Sequence, residues 1–134
     1  MKTNNKGAAA IEMAIAAPVL FLLLMGIVEI GLMLFASCVV EGATAIGARI
    51  DNVSAIPGGL SRDAYIRSQI GQLSSGFLQP ALPSITAQPM GNSVTLYRVT
   101  YPWAVTTPMI RQIFGDANGN FDITAAAAVR DGQF

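Results

Sequence analysis

The stretch Ala8–Val40 reads AAAIEMAIAAPVLFLLLMGIVEIGLMLFASCVV, and its only charges are Glu12 and Glu29. A helix of about 20 apolar residues crosses the hydrocarbon core of a bilayer, so this segment spans it with length to spare. A helix buried in a soluble core keeps a polar face, whereas Val19–Met25 has none. The expected span covers residues 13–36. Lys2 and Lys6 precede it, while Glu41, Arg49 and Asp51 follow it. Cations concentrate on the cytoplasmic side of a span, so the N-terminus is expected in the cytoplasm and everything beyond about residue 50 outside it, in a bacterium in the periplasm.

Helical character continues past the membrane. Val39, Ala43, Ile46 and Ile50 fall at helical spacing, and Glu41, Thr44, Ala45, Ala48 and Arg49 take the other side. This amphipathic extension is expected to end near Asp51–Asn52, before Pro57-Gly58-Gly59. At about 1.5 Å per residue the rod from Ala8 to Ile50 is roughly 65 Å long, twice the hydrocarbon thickness. Half of it must therefore pack on something else. Pro18, Gly26, Gly31, Gly42 and Gly47 mark either a kink and points of close helix approach or the ordinary tolerance of membrane helices for these residues.

The remaining residues read as a small α/β unit. Ser61 is a suitable N-cap for a helix whose stripe is Ile66, Ile70 and Leu73, ending at Ser74-Ser75-Gly76. A connector with Pro80, Pro83 and Pro89 follows. Ser93–Trp103 alternates as a strand, with Tyr97, Val99, Tyr101 and Trp103 on one face and Pro102 limiting its pairing. Met109–Phe114 forms a helical turn and Gly115–Asn120 a loop. Phe121–Arg130 is a second strand presenting Phe121, Ile123, Ala125, Ala127 and Val129, although Ala125–Ala128 equally suits a helix by propensity. The predicted fold class is α+β: a long N-terminal helix continuing into a small two- to four-stranded antiparallel sheet. That sheet packs on the distal half of the helix, which completes its core.

Composition narrows the function. The chain has 134 residues, 52% of them hydrophobic, with 8 basic and 8 acidic side chains, no His and one Cys. Mean hydropathy is +0.50. A neutral chain lacks the basic stripe that nucleic acid requires, and the missing His removes the commonest general base and metal ligand. One Cys forms neither an internal disulfide nor a thiolate cage. Asp116, Asn118, Asn120 and Asp122 alternate like a calcium loop, but Phe121 stands where the loop needs Gly and Ala127 where it needs Glu; a plain turn is expected. Ser61-Arg62-Asp63 is better explained by helix capping than by catalysis. No enzyme, cofactor or metal is expected.

The chemistry that periodicity does not explain lies at the start. Gly7 follows a short basic leader, and Glu12 stands at the fifth position after it. An acid costs about 2.5–3.5 kcal/mol at a membrane-helix centre and less near the interface, so it normally has a partner. Cleavage after Gly7 would place a new α-amine on Ala8 one helical turn from Glu12 on the same face.

Gly7-Ala8-Ala9-Ala10-Ile11-Glu12, Pro18, Gly26-Ile27-Val28-Glu29-Ile30-Gly31 and Ala45-Ile46-Gly47-Ala48-Arg49 together resemble the N-terminal signature of TadE-like proteins, the minor pilins or pseudopilins of the tight-adherence (Tad) type IV pilus system. The resemblance covers the first fifty or so residues. It implies a prepilin leader over residues 1–7, cleaved between Gly7 and Ala8 by a prepilin peptidase. It also implies a long helix over 8–50, an extracytoplasmic domain over 51–134, and a role for Glu12 in recognition and subunit packing. Pro18, Gly26, Glu29 and Gly31 are candidate packing positions within the membrane, with Glu29 either reaching the interface or meeting a partner subunit. The implied partners are other pilins, the peptidase and an inner-membrane assembly platform. The alternative is a single-span or lipid-anchored periplasmic protein-binding module: Phe35-Ala36-Ser37-Cys38 loosely resembles a lipobox and Ala43-Thr44-Ala45 a secretory cleavage site, although the apolar run is far longer than a signal-peptide core.

Overall fold

A computed structural model describes residues 6–50 and 56–130. Lys2, the Lys6 side chain and the expected helix end near Asp51–Asn52 lie outside the described residues, as does most of the expected leader. The described elements are α1 (Lys6–Ala48), a short 3-10 turn (Pro57–Gly59), α2 (Arg62–Leu73), β1 (Ser84–Gly91), β2 (Val94–Ala104), α3 (Pro108–Phe114) and β3 (Asn120–Arg130). The three strands form one antiparallel sheet in the order β1-β2-β3. The expected α+β class, with a long apolar helix and a small antiparallel sheet, is what the chain forms.

Local chemistry explains each boundary. The Ala64 N–H donates to Ser61 Oγ at 3.3 Å, so Ser61 caps α2 as expected. At the other end Ser75 takes a left-handed φ of 52° and the Gly76 N–H donates to the Gly71 carbonyl at 2.8 Å, a Schellman closure. Asn92 and Ser93, at φ 51° and 56°, make the two-residue turn that joins β1 to β2 with the twist both strands need. The alanine run of β3 pairs along Leu96–Val99, and its small side chains let α1 approach the sheet: Ala125 is buried in one cluster with Ala36, Val39, Val40 and Ala43. Packing overrides helix propensity there.

That cluster also takes in Ile66, Ile70, Leu78, Val99, Tyr101 and Ile123, so α1 does complete the core of the domain. The buried stripe of α1 runs Gly26, Glu29, Met33, Ala36, Val39–Val40, Ala43–Thr44 and Gly47, at alternating helical steps of three and four residues.

Five sequence expectations are corrected. The packed face of α1 begins at Gly26, not beyond Cys38. Thr44, assigned to the polar side, is 1% exposed, because its hydroxyl donates to the Val40 carbonyl at 2.6 Å and leaves the methyl to pack. Leu73 is exposed rather than part of the α2 stripe. The Pro-rich connector contains strand β1, which accommodates Pro89 because it is an edge strand whose register slips between Pro89 and Gly91. Pro102 does not stop β2, which pairs with β3 as far as Ala104; β1 has already ended opposite Thr100, so the proline lies where β2 has only one neighbour.

Arg62 shows how the sheet, α2 and α1 are locked together. It is 3% exposed, donates from Nη1 to the Gly47 carbonyl at 2.7 Å, and stacks its guanidinium 5.3 Å from the Tyr97 ring centre. A cation placed on the last carbonyls of α1 meets the negative end of that helix dipole. Gly47 is required beside it, since a Cβ there would overlap the buried side chain of Ile66.

Candidate functional site

The functional candidates divide between the two halves of α1. From Gly7 to Met25 the helix is bare: apart from half-buried Ala17, every residue of this half is exposed, including Gly7, Ala8, Glu12 and Pro18. The helix runs unbroken through Pro18, although proline supplies no N–H for the Ala14 carbonyl. Glu12 sits against an apolar groove formed with Ile15, Ala16, Val19, Leu20 and Leu23. A Cβ at Gly7 would meet no atom within 4 Å. Among the described residues no contact calls for a glycine at this position. The helix geometry brings Ala8 and Glu12 one turn apart on one face, as their spacing requires.

From Gly26 onward the domain grips the helix. Gly26 lies under Ile110 of α3, whose Cδ1 would be 3.7 Å from an added Cβ. One turn on, Glu29 is 6% exposed, and its two carboxylate oxygens accept the N–H groups of Thr106 at 2.5 Å and Thr107 at 2.6 Å. Thr107 is the N-cap of α3 but makes no side-chain cap of its own; a carboxylate at the positive entry of that helix supplies the complementary charge. Where the sequence left Glu29 between the interface and another subunit, the structure gives it a partner in its own chain, 77 and 78 residues away. Met33, Val105 and Ile110 close a small apolar cluster beneath Trp103 and Phe121. Gly31, by contrast, faces open space.

Thr106, Thr107 and Ile110 were not singled out from the sequence. Thr107-Pro108 carries a local signal, since proline at the first helical position after a threonine marks a helix start. Nothing local links it to Glu29.

The loop that resembled a calcium site is a turn. Asp116 Oδ1 accepts the N–H groups of Asn118 and Asn120, each at 2.8 Å. The Asn120 N–H, with those of Asn118 and Gly119, holds the exposed Asp116 carboxyl below its ordinary pKa despite some desolvation. Among the described residues no group of three or more His, Cys, Asp or Glu side chains is placed to hold a metal ion. Cys38 is an exposed free thiol within the continuous helix.

Among the described residues one helix, Gly7–Ala48, is long and apolar enough to cross a membrane. With a compact α+β unit seated on its distal half, the molecule has the layout of a single-pass membrane protein. Residues 7–49, about a third of the chain, match the family model described as TadE-like protein; over α1 the chain is therefore similar to a family associated with the Tad pilus. No curated protein and no solved structure matches the chain.

Proposed function

We propose that this chain is a minor pilin, or pseudopilin, of a Tad-type pilus, cut between Gly7 and Ala8 by a prepilin peptidase and needed for pilus assembly or at the pilus tip. It works by helix packing and protein–protein contact rather than turnover. Before assembly it stands in the bacterial inner membrane, N-terminus in the cytoplasm and domain in the periplasm, and then joins the pilus at the cell surface. The observation that carries this reading is the division of α1 into a bare apolar half and a half clasped by its own domain. A buried helix of a soluble protein would have no such bare half.

The same division supports a shorter span than residues 13–36. The loop through Thr106 and Thr107 is tied to Glu29, and irregular backbone does not face lipid in the hydrocarbon. The spanning part is therefore Ala8–Met25, about 27 Å of helix against a core of about 30 Å. Glu12 then lies inside the inner edge, where the α-amine of a mature Ala8, on its own chain or a neighbour's, neutralises it. Among the described residues no neighbour requires Gly7 to lack a side chain, which suits a residue read by a protease.

The mass and first residue of the native protein test this. Ala8 is expected; a retained Met1 or fatty acid on Cys38 would favour the anchored binding module. Gly7→Val should leave the leader attached, and normal processing of that variant would defeat the peptidase assignment.

A further inference from the structure

The reading that Ala8–Met25 spans the membrane puts α3 at the bilayer surface, and we propose that α3 is an interfacial seat whose Met109 and Ile113 rest in the outer leaflet of that membrane. The inference depends on that span but not on leader cleavage.

Three observations place the helix. Its depth is set by α1: Ile110 packs over Gly26, Thr107 is bound to Glu29, and Phe114 shares an apolar hollow with Ile30, Met33 and Leu34. All of these lie within the first turns above Met25. Its orientation follows from the helical step of about 100° per residue. Ile110 and Phe114 face α1 and β3, with the Phe114 ring edge-on to Phe121 at 6.5 Å. Arg111 turns up to the base of the sheet, where its Nη2 donates to the Asn118 carbonyl at 3.3 Å. Met109 and Ile113 lie on the side opposite Arg111 and are 51% and 67% exposed.

The third observation is continuity. Ile27, Val28 and Ile30, on the side of α1 that the domain leaves uncovered just above Met25, are exposed at the level of α3, so Met109 and Ile113 extend the apolar belt of the span sideways without a polar break along α1. A short helix with Met109 and Ile113 on one flank, Arg111 opposite and Gln112 between them suits the boundary between acyl chains and headgroups. The occupant that fits is a lipid surface: it already surrounds the adjoining helix, and it covers an apolar flank at fixed depth without needing a complementary shape. Three contacts then hold the domain at its base, namely the span, the Glu29 clasp and this seat, and they limit how far the domain can tilt over the membrane.

The test uses the full chain reconstituted in phosphatidylcholine vesicles, with the Trp103 signal of the parent chain subtracted. Ile113→Trp adds a reporter at an exposed position, so the fold is not put at risk; Met109→Trp is a second reporter, and Phe21→Trp is the control within the span. The expected result is a blue-shifted added emission for Ile113→Trp and Met109→Trp. Lipid brominated near the headgroup should quench it more than lipid brominated at midchain, and aqueous acrylamide should quench it little. Phe21→Trp should instead be quenched by the midchain label. If acrylamide quenches the α3 reporters and bromolipid does not, while Phe21→Trp still responds to lipid, the seat is overturned and the span stands. If neither quencher reaches them and their emission depends on the protein-to-lipid ratio, a second copy of the chain covers this flank and the proposal is wrong. If Phe21→Trp also ignores bromolipid, the span and the seat both fall.

Discussion

Removing the Glu29 carboxylate should release α3 and the Val105–Thr107 loop from α1 while leaving the sheet intact. The carboxylate accepts two backbone N–H groups, from Thr106 at 2.5 Å and Thr107 at 2.6 Å. A hydrogen bond to a charged group contributes about 1.5–3 kcal/mol, and a buried donor left without a partner costs about 1–3 kcal/mol. The two sites differ, because Thr106 is exposed and water can replace its lost acceptor, whereas Thr107 is 4% exposed. The expected cost of Glu29→Ala is therefore about 2–4 kcal/mol for local opening, less than the sum of two full bonds. At about 1.4 kcal/mol per tenfold, amide exchange at Thr107 should quicken by roughly 30- to 1000-fold. Glu29→Gln should recover only part of the loss, since one end of the amide is a donor facing a second donor. Hydrogen exchange of the full chain in detergent or lipid reads both sites, and the Val99 and Ala125 amides in the paired strands serve as internal controls. Unchanged protection at Thr107 in Glu29→Ala would refute the argument; equal loss at Val99 and Ala125 would mean that the clasp holds the whole domain and not one end of it.

Gly47→Ala should lower the thermal midpoint followed by circular dichroism. The new Cβ overlaps Ile66, overpacking costs about 1–3 kcal/mol, and the gain in helix propensity of about 1 kcal/mol offsets only part; a raised midpoint would contradict the close approach of α1 and α2. Gly31→Ala is the counterpart, expected to leave stability equal or higher because that position is open, so any loss of piliation would come from contacts between chains. Glu12→Ala should impair pilus formation, scored by electron microscopy of cells, while the purified full chain retains its circular dichroism; normal pili would remove Glu12 from the assembly account. The Asp116 loop should lose order in acid. Its carboxyl sits below the ordinary value near 3.9, so its contribution is full above that value and is lost as pH falls through the folded one. Amide shifts of Asn118 and Asn120 should follow that titration and show none in Asp116→Asn, whereas a midpoint above the ordinary range would contradict the hydrogen bonding.

Much of this molecule is legible in residue order because it depends on contacts close in sequence. Helix α1 is written in an apolar run that no other structure accommodates, α2 in the Ser61 cap and the Ile66–Ile70 step, and the inward faces of β2 and β3 in strict alternation at Tyr97–Trp103 and Phe121–Val129. Strand β1 is hidden in residue order because Pro89 and short polar residues look like a connector, and only the partner strand shows that a proline is harmless on that edge. Thr44 reads as polar surface in residue order, and only its hydrogen bond to the Val40 carbonyl lets it lie on the buried side.

The sequence alone determined that there is a membrane-length helix, a processing-like glycine with an acid five residues on, and a small α+β domain to follow, since hydropathy and spacing are properties of one segment at a time. Tertiary structure decided where along that helix the domain begins. Glu29 reads as an intramembrane acid until the backbone of Thr106 and Thr107 is brought against it from the far end of the chain. A carboxylate is fixed by whichever donors reach it, and no local pattern names donors that distant. With that one contact the boundary between the bare and clasped halves of α1 moves to Gly26.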